Sequence, residues 1–274
     1  MTTSVAAPVK LRTEVWVFLI AIVVINFAFV AAVGEGWIDD KYYARGRLAL
    51  LGGALVVVVF FARGLSGILE LIKPLFVWRV SPIWFALAVL VPIIFAMVFV
   101  VTRSLILGEP LVLFNQSGLA LFQRDGFLLN IFMIALIGEI VWVGYAIRHL
   151  AKFYSLQLTA IITGTCWALW WAPMMVYEIG IIPGLTVPGL WAGQVAVALS
   201  CTFFYFATRS GLVILAMQYC FNLSLLAFPV LPGSIGTFGF ELYSVIYMAL
   251  GLVAVTFILP WAQKRGLAAP ASPA

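Results

Sequence analysis

The chain consists of long apolar runs separated by short polar or charged segments. The runs are continuous rather than alternating, and most approach the roughly 20 residues that a helix needs to cross a bilayer. Lipid offers no hydrogen-bond partner to the backbone, so such runs are expected to form helices. The eight predicted spans are Glu14–Val33, Leu48–Ala62, Pro82–Thr102, Phe127–Ile147, Leu156–Tyr177, Pro188–Ala207, Gly211–Phe228 and Leu242–Trp261. The pattern predicts an all-α fold, a single integral membrane domain over residues 1–274 with about eight transmembrane helices.

The connecting segments carry most of the charge. A polar lead, residues 1–13, precedes the first span, which is too long for the apolar part of a signal peptide and is predicted to remain uncleaved. Gly34–Arg47 is predicted to be a mixed-charge loop, and Arg63–Ser81 a basic loop with an interfacial helix around Leu65–Ile72. A further loop, Arg103–Asp125, follows the third span.

Composition and charge place the chain among membrane proteins. Of its 274 residues 65% are hydrophobic and 9% are charged, whereas about a quarter of a soluble domain is charged. The net charge of +5 fits basic cytoplasmic loops, and no nucleic-acid partner is implied. Cytoplasmic termini would place ten basic residues inside and five outside, and the inside set is Lys10, Arg12, Arg63, Lys73, Arg79, Arg148, Lys152, Arg209, Lys264 and Arg265. The bias predicts two cytoplasmic termini, and the expected location is a bacterial-type inner membrane.

The most informative residue is Glu139, a carboxyl group deep within the fourth span. An acidic residue at that depth costs about 2.5–3.5 kcal/mol on insertion scales, so its partners are expected on neighbouring helices. Gln218 and Asn222 share one face of the seventh span at i,i+4 spacing, and Trp167 and Trp171 do the same on the fifth. We therefore expect the fourth, fifth and seventh spans to be neighbours, with Glu139 within direct or one-water reach of Gln218 or Asn222.

These stretches resemble the CPBP family, which includes the CAAX proteases and bacteriocin-processing membrane proteins. The matching stretches are GEIVWVGYA from Gly138, WALWWAP from Trp167, and the segment from Arg209 to Ser224. They are similar to the family motifs EExxxR, FxxxH and HxxxN. The resemblance covers about residues 60–230 and implies an eight-helix, CAAX-protease-like bundle with an intramembrane glutamic protease site.

The motifs are degenerate at the positions that carry the chemistry. In active family members the first Glu of EExxxR is taken to activate water, and two His residues orient it or stabilise the oxyanion. This chain has Gly138 at that Glu position, Val143 at the Arg position, and Trp171 and Gln218 at the two His positions. Glu139 and Asn222 are retained. Neither Trp nor Gln can act as a general base, so the resemblance implies loss of the family reaction.

The degenerate motifs leave two candidate functions and a weaker third. The first is a non-proteolytic pseudoenzyme that acts as a binding or scaffold protein for membrane lipid, a membrane protein, or a lipidic or prenyl-like ligand in the bundle cavity. The alternative is an active intramembrane endopeptidase with an altered site around Glu139, in which Gln218 and Asn222 donate hydrogen bonds. A transporter is the third, although no inverted repeat supports it.

Several residues also have purely structural interpretations. Glu139 could serve only packing, as a protonated group bonded to a neighbouring helix, and Gln218 and Asn222 could join helices. His149, the single histidine, is predicted to be a solvated residue at a helix end. The three cysteines lie in apolar runs without metal-binding spacing, and neither a metal site nor a cofactor is expected.

Overall fold

The structure, a computed structural model, describes residues 6–180 and 182–270, and the regular elements in this part of the chain are helices. Their bounds are α1 Ala6–Gly34, α2 Tyr43–Ile72, α3 Pro82–Leu107, α4 Gln116–Leu121, α5 Phe127–Gly138, α6 Leu156–Trp171, α7 Pro173–Tyr177, α8 Val187–Thr208, α9 Gly211–Ala227 and α10 Pro232–Val253. Helix α5 continues as a π-helix over Glu139–Ile147 and a last turn over Arg148–Leu150. Helix α10 continues similarly through Ala254–Ile258 to Leu259–Lys264.

Seven helices of the described chain are long and apolar enough to cross a membrane. They are Lys10–Gly34, Asp40–Phe76, Pro82–Leu107, Phe127–Leu150, Leu156–Tyr177, Val187–Thr208 and Pro232–Lys264. The remaining predicted span, Gly211–Phe228, corresponds to α9, which has 17 residues and is shorter than a typical crossing. The prediction of a helical membrane bundle is confirmed, with seven long apolar helices and one shorter one.

The boundaries of the first two helices differ from the prediction. Helix α1 begins at Ala6 rather than Glu14, and α2 begins at Tyr43, within the predicted Gly34–Arg47 loop. Arg47 is therefore a helical residue, and only 2% of its surface is exposed. The predicted basic loop is also partly wrong, because α2 continues to Ile72 and bends at Gly64, whose φ of 65° is in the left-handed region that glycine tolerates.

Contacts between loops show that both ends of the described chain lie at the same end of the bundle. Arg12 donates hydrogen bonds to the Tyr154 hydroxyl, and Ala269 N donates to Ala207 O at 2.7 Å. The Ser210 hydroxyl donates to Val77 O, which joins the α8–α9 loop to the α2–α3 loop at this end. We call it the terminal end. The segments that the charge bias assigns to one side of the membrane thus meet at one end of the molecule.

The segment around Glu139 is the central element of the bundle. In the π-helix Glu139–Ile147, eight of the nine residues are buried, so neighbours surround it on every side. It contacts α1, α2, α6, α8 and α9. A helix that is buried on every face requires apolar residues on every face. The sequence of this segment meets that requirement except at Glu139. The fourth predicted span therefore organises the core.

Candidate functional site

A cavity of about 380 Å³ lies within the bundle, between α2, α5, α6, α8, α9 and α10. This volume is within the range of small-molecule pockets. Its wall is mainly apolar and aromatic, and Trp142, Trp167, Trp170 and Trp171 are four of its members. No Asp, Glu, His or Cys is among the described residues that line it. Among the described lining residues only Ala44 and Gly180 are exposed, and we infer that the mouth lies beside them, at the end of the bundle opposite the terminal end.

Four of the positions that the motifs single out line this cavity. Gly138, Trp171, Gln218 and Asn222 come from three different helices and share its wall. A Cβ built on Gly138 would stand 2.9 Å from Gln218 Oε1, so α5 and α9 approach closely there because residue 138 has no side chain. Val143 is different, since it is fully buried in the apolar core and is not a lining residue.

Helix packing places these four residues around a shared space. Helix α5 and its continuation contact both α6 and α9, as predicted. Helices α6 and α9 do not pack closely against each other, so the expectation that all three spans are mutual neighbours is only partly met. Helix α8 packs extensively against α6 and also contacts α9. Residues of α6 and α9 thus reach the same cavity, in which Trp167 stacks on Trp142 with ring centroids 5.3 Å apart. Gly138, Trp171, Gln218 and Asn222 therefore line one cavity, whereas Glu139, the centre of the predicted site, does not.

Glu139 does not belong to this cavity. It is fully buried, and neither carboxyl oxygen has a hydrogen-bond partner among the described residues. Of the expected direct or one-water contact with Gln218 or Asn222, the direct hydrogen bond is absent, and the one-water contact stays a prediction. Gln218 Oε1 lies beside Gly138 instead, on the cavity side of α5.

Glu139 lies beside backbone atoms of neighbouring segments and interacts electrostatically with Arg148, Cys201 and Tyr205. A Cβ built on Gly211 would lie 2.7 Å from Glu139 Oε1 and 3.0 Å from Leu75 N, and one built on Gly144 would be 4.0 Å from the same carboxyl oxygen. Gly211 is the first residue of α9, and Leu75 belongs to the 3-10 turn Lys73–Phe76. We call Gly144, Gly211, Pro74 and Leu75 the Glu139 cradle. It lies towards the terminal end, away from the cavity mouth.

The local helix geometry contributes to this separation. Residues Glu139–Ile147 form i→i+5 hydrogen bonds, whereas Phe127–Gly138 form the α-helical pattern. The change from α-helix to π-helix begins between Gly138, which lines the cavity, and Glu139, whose carboxyl group lies beside the Glu139 cradle. Short π-helical segments occur frequently at functional sites, and nothing in this run signals one by residue type.

A buried charge that the sequence interpretation missed stands beside the cavity mouth. Arg47 Nε donates to Asn26 Oδ1 at 3.0 Å, Nη1 to the Tyr43 hydroxyl at 2.8 Å, and Nη2 to Trp170 O at 2.9 Å. Its Cζ lies 4.1 Å from the Trp170 ring centroid and 4.6 Å from that of Trp171. No acidic side chain among the described residues forms an ion pair with it.

These contacts explain how a charge without a counter-ion is held inside. Burying an ion costs several kcal/mol in a protein interior. A hydrogen bond to a charged group contributes about 1.5–3 kcal/mol, and a desolvated cation–π contact contributes about 2 kcal/mol. Three hydrogen bonds and two close indole rings offset the burial of Arg47. Three of the five guanidinium N–H groups are used, and two have no acceptor in the described part of the chain.

The cavity wall also carries buried donors without partners. Among the described residues they include Trp170 Nε1, Gln218 Nε2, the Tyr243 hydroxyl and the Ser244 hydroxyl. Buried polar atoms of native proteins are nearly always hydrogen-bonded. A mainly apolar pocket with a few polar groups that fix orientation is the usual form of a ligand site.

The structure corrects the environment of His149. It is 2% exposed, and its Nδ1 lies 2.7 Å from Tyr145 O while Nε2 lies 3.1 Å from Arg63 Nη1. This pairing fits an imidazole that donates from Nδ1 and accepts at Nε2. Arg63 also pairs with Glu14 at 2.5 Å. The predicted solvated histidine is therefore wrong, and the residue ties α1, α2 and the end of the fourth span together at the terminal end.

Neither family models nor curated proteins provide a relative for comparison with this site. The three cysteines are free, and no group of three or more His, Cys, Asp or Glu side chains in residues 6–180 and 182–270 is placed to hold a metal ion. The site is therefore characterised by its own chemistry: an apolar cavity with four tryptophans, one arginine and several free donors. No protein-family model matches the chain, and no curated protein matches it significantly.

Proposed function

We propose that this protein is a non-hydrolytic membrane protein that binds a lipidic or prenyl-like molecule in its central cavity. In this proposal it is a degenerate relative of the CPBP family, with a CAAX-protease-like bundle that has lost the protease reaction. The observation that carries the proposal is the convergence of Gly138, Trp171, Gln218 and Asn222 on one apolar cavity without an acid, a histidine or a cysteine in its described wall.

The chemistry of the wall supports binding over hydrolysis. Attack of water on an amide needs a base to take its proton and donors for the oxyanion. Gln218 Nε2 is a free donor, but Gly138 supplies no base and Trp171 fills part of the wall with an indole. Glu139, the base of the alternative endopeptidase, lies in its cradle and lines no part of the cavity.

The proposal is tested by equilibrium binding in neutral detergent. Tritiated geranylgeraniol and tritiated hexadecanol are the ligands, and the purified full-length protein is the receptor. Protein-free micelles give the background, and saturable binding of either alcohol supports a lipid-binding cavity. The cavity variant is Gly193→Phe, because Gly193 lines the cavity and a Cβ there meets only Ser244 Oγ, at 3.5 Å. The matched control is Gly53→Phe, an exposed helical glycine with no atom within 4 Å of a built Cβ.

We expect Gly193→Phe to weaken lipid binding at least about tenfold, because its benzyl group would occupy cavity space that the alkyl chain of the ligand requires. A tenfold loss of affinity corresponds to about 1.4 kcal/mol of binding free energy. Gly53→Phe should bind as the wild type does. Absence of saturable binding of every single-chain lipid tested, these alcohols and palmitate included, would contradict the proposal, as would equal losses in the two variants.

A further inference from the structure

The arginine at the cavity mouth has a feature that an apolar ligand alone does not use. Arg47 lines the cavity, is 2% exposed, and lies one helical turn from the exposed mouth residue Ala44. Its positive charge is not neutralised by any carboxylate of the described chain. Its hydrogen bonds go to an amide oxygen, a hydroxyl and a carbonyl, all of which are neutral.

We propose that the cavity binds an acidic amphiphile, a single apolar chain whose carboxylate or phosphate monoester head pairs with Arg47. The inference rests on the proposed function and names the ligand class and its orientation. The head lies at the mouth, beside Ala44, and the chain extends inwards past the tryptophans towards Gly138 and Gln218. The planar guanidinium fork suits both oxyanions, because two parallel N–H groups can contact two oxygens.

The packing of Arg47 orients the fork before a ligand arrives. Asn26 and Trp170 O hold two of its nitrogens from α1 and α6, and the indoles of Trp170 and Trp171 lie against its Cζ. Preorganisation of this kind lowers the entropy that binding costs. An arginine that served only to tie α1, α2 and α6 together would not need to line the cavity.

The exposed side chains near the mouth carry charges of both signs: Lys41 and Arg45 are basic, and Asp39, Asp40 and Glu178 are acidic. Arg45 lies in the first turn of α2, beside Ala44, and Lys41 lies just before this helix. Lys41 is paired with Asp39 at 2.8 Å, whereas Arg45 has no ion pair within the described residues. Exposed positive charge raises the local concentration of anions but contributes little to the affinity of a bound one.

The test compares ligands of equal chain length on the wild-type protein. Palmitate, hexadecyl phosphate and hexadecanol are titrated at pH 7.5 in neutral detergent, and inorganic phosphate serves as a head without a chain. We expect one or both acids to bind at least about tenfold more tightly than the alcohol, because a charge-assisted pair at a buried site contributes that much. The acid that binds more tightly identifies the head group.

Variants separate an ion pair from a structural role. Arg47→Met should bring the acids to the affinity of hexadecanol, Arg47→Lys should retain part of the preference, and Arg45→Met should retain all of it. If Arg47→Met does not fold, the wild-type comparison of acids and alcohol decides alone. Equal affinity for acids and alcohol would overturn the inference while the proposed lipid binding stands, and a preference that survives Arg47→Met in folded protein would overturn it as well. Absence of binding by all three chains would instead contradict the proposed function.

Discussion

The buried side chains of Arg47 and Glu139 lie in opposite surroundings. Arg47 donates three hydrogen bonds, stacks against two indoles and lines the cavity. Glu139 has no hydrogen-bond partner among the described residues and lies beside the Glu139 cradle, away from the cavity. The group that can reach a ligand is thus a cation suited to binding, while the group that could act as a base cannot reach one. The comparison favours recognition over hydrolysis.

The largest effect is expected from Arg47→Met. The change leaves Asn26 Oδ1 without its donor and removes two cation–π contacts, so the free energy of unfolding should fall by about 3 kcal/mol. Reversible unfolding by SDS titration in mixed micelles measures this. Arg45→Met, at an exposed position, should stay within about 0.5 kcal/mol of the wild type. A loss below about 1 kcal/mol for Arg47→Met would mean that the observed bonds contribute little.

A smaller effect is expected where α9 begins. Gly211→Ala places a Cβ 2.7 Å from Glu139 Oε1 and about as close to the backbone of Pro74 and Leu75, so overpacking should reduce the free energy of unfolding by about 2 kcal/mol. Part of this loss should disappear in a Glu139→Ala background, with an interaction term of about 0.5 kcal/mol or more in the double-mutant cycle. Gly53→Ala, with open space around its Cβ, should not destabilise the protein. Additivity in the cycle would contradict the close approach of Gly211 and Glu139.

The smallest effect, and one of opposite sign, is expected from Glu139→Met. An unpaired buried polar group costs about 1–3 kcal/mol, and methionine has a similar length without that cost. In the same SDS titration, Glu139→Met should therefore raise the free energy of unfolding by about 1 kcal/mol, whereas Arg47→Met should lower it. If Glu139→Met destabilises the protein as strongly as Arg47→Met, the carboxyl group has a partner that the contacts do not reveal.

Periodicity and spacing predicted much of this architecture, because apolar runs of membrane length leave few alternatives to helices. They also predicted that Trp171, Gln218 and Asn222 face one site, since i,i+4 spacing fixes a helix face. Arg47 escaped prediction because its charged neighbours in sequence are typical of a loop, while its partners come from α1 and α6. Asn26, a polar residue within the first span, was the available signal that a buried partner existed.

The direction of Glu139 could not be predicted for a related reason. Gly138 and Glu139 are adjacent in sequence, yet one faces the cavity and the other the cradle, and the helix changes from α to π between them. Residue types within Glu139–Ile147 do not specify that change. His149 was misplaced in the same way, because Arg63, its partner on α2, is 86 residues away.

The choice between binding and hydrolysis is tested most directly with a prenylated peptide. The peptide is incubated with purified wild-type protein, and the bound and the free peptide are both analysed by mass spectrometry. Glu139→Gln, shown to be folded by SDS titration, is treated in parallel. We predict that the peptide is retained by the protein and recovered intact from both samples, since no base reaches the cavity. Cleavage by the wild type that is lost in folded Glu139→Gln would contradict this conclusion and establish Glu139 as the catalytic group of an intramembrane endopeptidase.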